Sequence, residues 1–183
     1  MKNILLLIIV LICSIGSNAQ THEYDTCDLQ YYNKFEGNWR YVNGSDTIRI
    51  SLRKHRFQYQ NQPPGSTTID IRDRLFGWHE YKQGSNVIES NYAFRNPPLP
   101  LDDAVDSSSI CLGFIGGSCA ETTRGLKGNI TDYSQANEVK QVWITLSSDG
   151  LTLYWKQEHS EGFGAFSGAK GMTLPKEFTL ARQ

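Results

Sequence analysis

Apolar and polar positions alternate with a period near two along almost the whole chain. Ile48, Ile50 and Leu52 stand on one face of a segment that follows Gly37-Asn38-Trp39-Arg40-Tyr41, with Asn43-Gly44 between them. Asn and Gly tolerate the positive φ of a tight hairpin turn, so Phe35–Arg56 predicts a β-hairpin. Asn61 to Gly65, with two prolines, breaks the pattern. A second hairpin is expected over Thr67–Tyr81 and Val87–Arg95, turning at Gln83-Gly84. Short strands follow at Ser108–Ile115 and Arg124–Asp132, a third hairpin at Val139–Leu146 and Leu151–Gln157 turning at Asp149-Gly150, and a last strand at Leu174–Arg182. No stretch repeats apolar residues at i, i+3, i+4 and i+7. The single helical candidate is Tyr24–Phe35, at one or two turns. Eight or nine short strands without intervening helices predict an all-β fold, a sandwich or an antiparallel barrel.

The first nineteen residues follow another rule. Lys2 precedes an unbroken apolar run, Ile4–Cys13, and Ser17-Asn18-Ala19 supplies small residues before Gln20. The run is too short to span a bilayer, which needs about twenty residues. It reads as a cleaved signal peptide over 1–19, with one domain over 20–183 and a secreted or periplasmic destination. Acylation at Cys13 is the competing reading, though Ile12 stands where that processing prefers a small residue. Removing Lys2 leaves 18 − 1 = 17 basic against 19 acidic residues, a net charge of −2. No basic field for nucleic acid follows, and no second apolar run suggests a transmembrane span.

Cys27, Cys111 and Cys119 remain in the mature chain, an odd number in a compartment that permits disulfides. The local pair Cys111–Cys119 is favoured because Gly113, Gly116 and Gly117 ease the return of the chain, but a bridge from Cys27 stays open. The four histidines lack partners at ligand spacing, so no metal is expected. The glycine-rich 161–171 segment lacks a phosphate-loop spacing, and no cofactor is expected. No nucleophile, acid and base set can be assembled, which points away from an enzyme. The dense run Arg53-Lys54-His55-Arg56 is most simply the solvated end of a strand, or else a docking patch for an acidic partner or lipid headgroups, carried by Arg53, Lys54 and Arg56.

At Gly37-x-Trp39 the chain resembles the calycin superfamily, the lipocalins and fatty-acid-binding proteins. That resemblance implies a closed barrel end covered by the Trp39 indole, with Arg182 as the basic group packed on it. Phe35-x-Gly37-x-Trp39-x-Tyr41-x-Asn43-Gly44, Leu75-x-Gly77-x-His79-x-Tyr81, Leu151-x-Leu153-x-Trp155 and Leu174-Pro175-x-x-Phe178-x-Leu180-x-Arg182 also resemble a family of exported, lipocalin-like proteins of unknown function from Bacteroidetes. Together these imply a single lipocalin-like barrel and import no activity; a small apolar or amphipathic ligand is expected from the barrel and its aromatic interior face.

The alternation places Trp39 and Tyr41 with Gly37, Leu151 and Leu153 with Trp155, and Phe178 and Leu180 with Arg182. His79 and Tyr81 share a face with Leu75 and Gly77, although Phe76, Trp78 and Ile88 support the opposite phase. Trp39, Tyr41, His79, Tyr81 and Trp155 are therefore the candidate ligand-binding residues, with Gly37 and Arg182 structural. The alternative is a barrel filled by its own side chains that acts through its surface, as an envelope interaction module or inhibitor.

Overall fold

A computed structural model describes residues 21–24, 29–59, 68–96, 107–114, 122–135, 138–158 and 173–183. Its strands are β1 (Thr21–Tyr24), β2 (Gly37–Asn43), β3 (Asp46–Tyr59), β4 (Thr68–Gln83), β5 (Asn86–Ser90), β6 (Ile110–Phe114), β7 (Gly125–Asp132), β8 (Glu138–Leu146), β9 (Thr152–Glu158) and β10 (Glu177–Arg182). Eight of these close an antiparallel barrel in the order β4-β3-β2-β10-β9-β8-β7-β6, with β6 returning to β4. β1 lies parallel to the start of β4, and β5 pairs with its end. A single 3-10 turn, Leu29–Tyr32, precedes β2.

The turn chemistry explains the hairpins. Gly44, Gly84 and Gly150 take φ of 58°, 60° and 73° at the β2–β3, β4–β5 and β8–β9 connections, a region that costs other residues strain. β3 and β4 pair along their full length, from Asp46↔Gln83 to Tyr59↔Asp70. The other edge of β4 is shared in succession by β1, β6 and β5.

Two seams of the barrel are short. β4 and β6 pair through Leu75↔Leu112, Phe76↔Cys111 and Gly77↔Ile110. β2 and β10 pair through Ala181↔Arg40 and Arg182↔Trp39 alone, with Gln183 N–H donating to Asn38 O at 2.9 Å just below.

The interior holds one apolar cluster that includes Tyr32, Phe35, Trp39, Ile48, Ile50, Leu52, Trp155 and Leu180. Burying each such side chain contributes about 1.5–3 kcal/mol, so this cluster is the main support of the fold. The lower end of the barrel is closed at Trp39. Its indole N–H donates to Phe35 O at 3.0 Å, and the Arg182 guanidinium lies 4.3 Å above the ring. Arg182 also donates to Gly150 O at 3.0 Å, to Glu36 O at 2.8 Å and to Lys34 O. Gly37, at φ 133°, sits where a Cβ would come within 3.2 Å of Arg182 Nη1. Glycine there satisfies both the backbone and the guanidinium.

Two expectations change. Val87–Arg95 is not one strand: β5 ends at Ser90 and a 3-10 turn covers Tyr92–Arg95. Leu151 does not share the interior face of Leu153 and Trp155, because β9 begins at Thr152 and Leu151, 58% exposed, belongs to the turn. The expected Cys111–Cys119 bridge falls on Cys119, which with Cys13 and Cys27 lies outside the described residues; Cys111, exposed on β6, has no disulfide partner among the described residues. The charges of the Arg53–Arg56 run are partly offset by neighbours. Arg56 makes a two-pronged ion pair with Asp73 at 2.7 and 2.9 Å, directly across the β3–β4 ladder. Lys54 pairs with Glu36 at 3.3 Å, and Arg53 Nη1 donates to Leu52 O. The proposed signal segment, 1–19, also lies outside the described residues. Among the described residues no helix is long and apolar enough to cross a membrane.

Candidate functional site

The edge of β4 changes partner at His79. Below it, Gly77 pairs with β6; above it, Glu80 pairs with β5. Neither neighbour supplies a ladder acceptor for the His79 N–H, and the Asn91 side chain takes that place at 2.8 Å. Asn91 Nδ2 donates to Ser107 O at 2.8 Å, and Asn91 N–H to His79 O at 3.0 Å. One amide thus joins the end of β5, the middle of β4 and the approach to β6. A backbone group left unpaired here would cost roughly 1–3 kcal/mol.

This handover fixes the His79 ring. It shares its face of β4 with Leu75 and Tyr81 of the interior cluster and is fully buried. Nδ1 lies 2.7 Å from Ser109 Oγ. Nε2 lies 3.4 Å from Glu89 Oε1, an ion-pair distance without hydrogen-bond geometry. Glu89 stands opposite Tyr81 in the β4–β5 ladder and so points to the same interior. Its Oε1 accepts the Tyr133 N–H at 2.9 Å.

Asp132 completes the group, two residues beyond the interior Ile130 on β7. Its Oδ1 accepts from Ser134 N–H at 3.0 Å, Ser134 Oγ at 2.7 Å and Gln135 N–H at 3.2 Å; its Oδ2 accepts the Thr173 N–H at 2.7 Å. Burial acts to raise the Asp132 carboxyl pKa, but hydrogen bonds from Thr173 and Ser134 outweigh it and hold the group below the ordinary carboxylate range.

Three buried atoms in this interior have no hydrogen-bond partner: His79 Nε2, Glu89 Oε2 and Trp155 Nε1. Native interiors pair more than nine in ten such groups, so each needs a physical account. Hydroxyl, imidazole and carboxyl stand in the order Ser109–His79–Glu89, as in an acyl-transfer relay. However, Ser109 is 4% exposed and its Oγ also lies 3.3 Å from Asn91 Oδ1 and 3.4 Å from Gly77 O. A hydroxyl so enclosed is a structural link rather than an accessible nucleophile.

The remaining candidates fall into two groups. Tyr81 OH accepts from Gln83 Nε2 at 2.8 Å and lies 3.4 Å from Asp46 Oδ2, at the upper rim. Tyr41, Phe178 and Trp155 form an aromatic row, with centroids 5.4 Å apart across Tyr41–Phe178 and 5.6 Å across the stacked Trp155–Phe178 pair. Tyr41 is the half-buried member, at the seam where β2 and β10 no longer pair. Trp39 and Arg182 belong to the opposite, closed end, and Gly37 with them. The structure therefore separates the candidate residues into an upper polar and aromatic group and a lower closing group. Among the described residues, no three His, Cys, Asp or Glu side chains are arranged to hold a metal ion.

Residues 1–183, the whole chain, match the model of a family of unknown function, DUF6705. The chain belongs to that family. No curated protein and no solved structure matches it. For this DUF6705 member, a functional reading therefore rests on the barrel interior itself.

Sequence reading missed Glu89 and Asp132. A β-bulge between Tyr81 and Lys82 shifts the β4–β5 register, so Glu89 turns inward while Val87 and Ile88 are exposed. The signal available was a strand whose apolar residues would not keep one phase.

Proposed function

We propose that the protein is a non-enzymatic carrier of a small amphipathic molecule held in the upper half of the barrel. The observation that carries this reading is the set of buried atoms without partners, His79 Nε2, Glu89 Oε2 and Trp155 Nε1, within an otherwise apolar interior. A few convergent polar groups in apolar walls are what a small-molecule site needs for orientation. The short β2–β10 seam beside Tyr41 and Phe178 is the natural place of entry, because parting it there breaks no ladder pairs. The chain is taken to be exported, with residues 1–19 removed; an intact mass from the native host starting at Gln20 supports this, and acyl chains on Cys13 refute it.

A second reading, a filled barrel acting through its surface, is favoured by the complete burial of Tyr32, Phe35, Trp39 and Trp155. An eight-stranded barrel is only just wide enough to be filled by such side chains. Native mass spectrometry and solvent extraction of the purified protein separate the two. A co-purifying lipid-like molecule of fixed mass supports the carrier. An empty barrel that captures one protein partner supports the surface reading.

A further inference from the structure

We infer that the polar end of the chamber selects a cationic, hydrogen-bond-donating head group, a primary ammonium, and rejects a carboxylate. This rests on reading the interior as a ligand chamber and names the class of ligand it takes. Glu89 projects inward opposite Tyr81, and Asp132 projects inward above Ile130, so two carboxyl groups meet at one quarter of the upper barrel. Glu89 accepts, through Oε1, the N–H of Tyr133, the residue next to Asp132, which brings the two carboxyl groups to the same place. Its Oε2 is buried and has no donor. His79 is the only cation-forming residue in this group, and its Nδ1 is occupied by Ser109.

A third carboxylate brought beside Glu89 and Asp132 in a low-dielectric interior meets like charge, and the one cation-forming neighbour, His79, already faces Glu89 Oε1 at 3.4 Å. The nearest fixed cation of the closed end, Arg182, is spent on Trp39 and three backbone carbonyls. An ammonium offers three donors and no acceptor, which matches Glu89 Oε2, a buried acceptor without a donor of its own. Its alkyl portion would lie along the Tyr41–Phe178–Trp155 row.

The test uses octylamine, octanol and octanoate, titrated calorimetrically into the mature protein, with the neutral dye Nile red as an independent probe of the interior. Octylamine is expected to bind at least about tenfold more tightly than octanoate, the scale of one charge-assisted hydrogen bond. Glu89→Gln, which keeps an acceptor for the Tyr133 N–H, is expected to remove most of that preference. Octanoate binding as tightly as octylamine overturns the inference and leaves the carrier reading standing. So does Nile red binding without competition from octylamine. If neither the dye nor any of the three probes binds, the carrier reading falls with it. The wild-type series alone decides the matter should Glu89→Gln fail to fold.

Discussion

Replacing Arg182 with Ala tests how the closed end is held. The guanidinium makes three hydrogen bonds to backbone carbonyls, those of Gly150, Glu36 and Lys34, and lies 4.3 Å over the Trp39 ring. Bonds from a charged donor contribute roughly 1.5–3 kcal/mol when buried. Arg182 is half-buried, so the released carbonyls regain water, and about 1 kcal/mol per bond is the better figure. The ring contact adds about 0.5–1 kcal/mol. The expected loss is then about 3–4 kcal/mol, or roughly 6–16 °C in Tm at about 2–4 °C per kcal/mol for a domain of this size. Arg182→Lys keeps the charge over the indole but brings all its donors to one nitrogen, which cannot reach three separated carbonyls. It should recover less than half of the loss. Urea unfolding followed by tryptophan fluorescence measures all three proteins on one scale. An Ala variant within about 1 kcal/mol of wild type, or a Lys variant equal to wild type, would refute the fork as the fastening of this end.

Gly128→Ala should cost more than about 3 kcal/mol in the same assay, because its Cβ would lie 1.9 Å from Cys111 O, a backbone atom that cannot swing aside. Gly84→Ala has open space around the new Cβ and only its φ of 60° to strain, so a loss of about 1 kcal/mol is expected there; equal losses at both positions would contradict the argument. Asp132 has a depressed pKa, so its ionised form contributes stability that is fully present above about pH 4, the unfolded value, and is lost as pH falls through the lower folded value. Asp132→Asn should lower Tm at pH 7 and flatten its decline below pH 4, whereas parallel Tm–pH curves would rule the account out. Cys111 lies exposed on β6, yet desolvation by its surroundings raises its thiol pKa and Arg74 only partly opposes this, so iodoacetamide should reach the Cys111 thiol but label it more slowly at pH 7 than it labels free cysteine.

The parts of the barrel legible in the sequence are those where one rule acts alone. Ile48, Ile50 and Leu52 alternate without interruption and all three are interior. Gly44, Gly84 and Gly150 are glycines because the turns demand positive φ. Where two rules compete, reading from sequence loses its grip. β4 buries both faces, Leu75 and Tyr81 within the barrel and Phe76 and Trp78 on the other side, so alternation by itself cannot name the interior. Trp78 is buried by a contact remote in sequence, its indole N–H meeting Ser107 Oγ at 3.1 Å. The Arg53–Arg56 run reads as a positive surface until the β3–β4 register sets Asp73 opposite Arg56. The upper polar group depends on a one-residue bulge, and no local pattern around Glu89 announces where a strand slips.

The two-residue seam between β2 and β10 bears on how the chain reaches its native form. β3 and β4 adjoin in sequence and can zip as a hairpin within about 1–10 μs. The final closure instead joins Arg182 to Glu36, 146 positions apart. The entropy of so long a loop is modest, since each doubling of length costs only about 0.6 kcal/mol. The constraint is one of timing. A chain delivered from its N-terminus presents the bare edge of β2 until the six residues of β10 arrive, and only then is that edge covered. Every chain that has not yet laid down β10 therefore carries an open template for pairing with a neighbour, and that strand is what withdraws it.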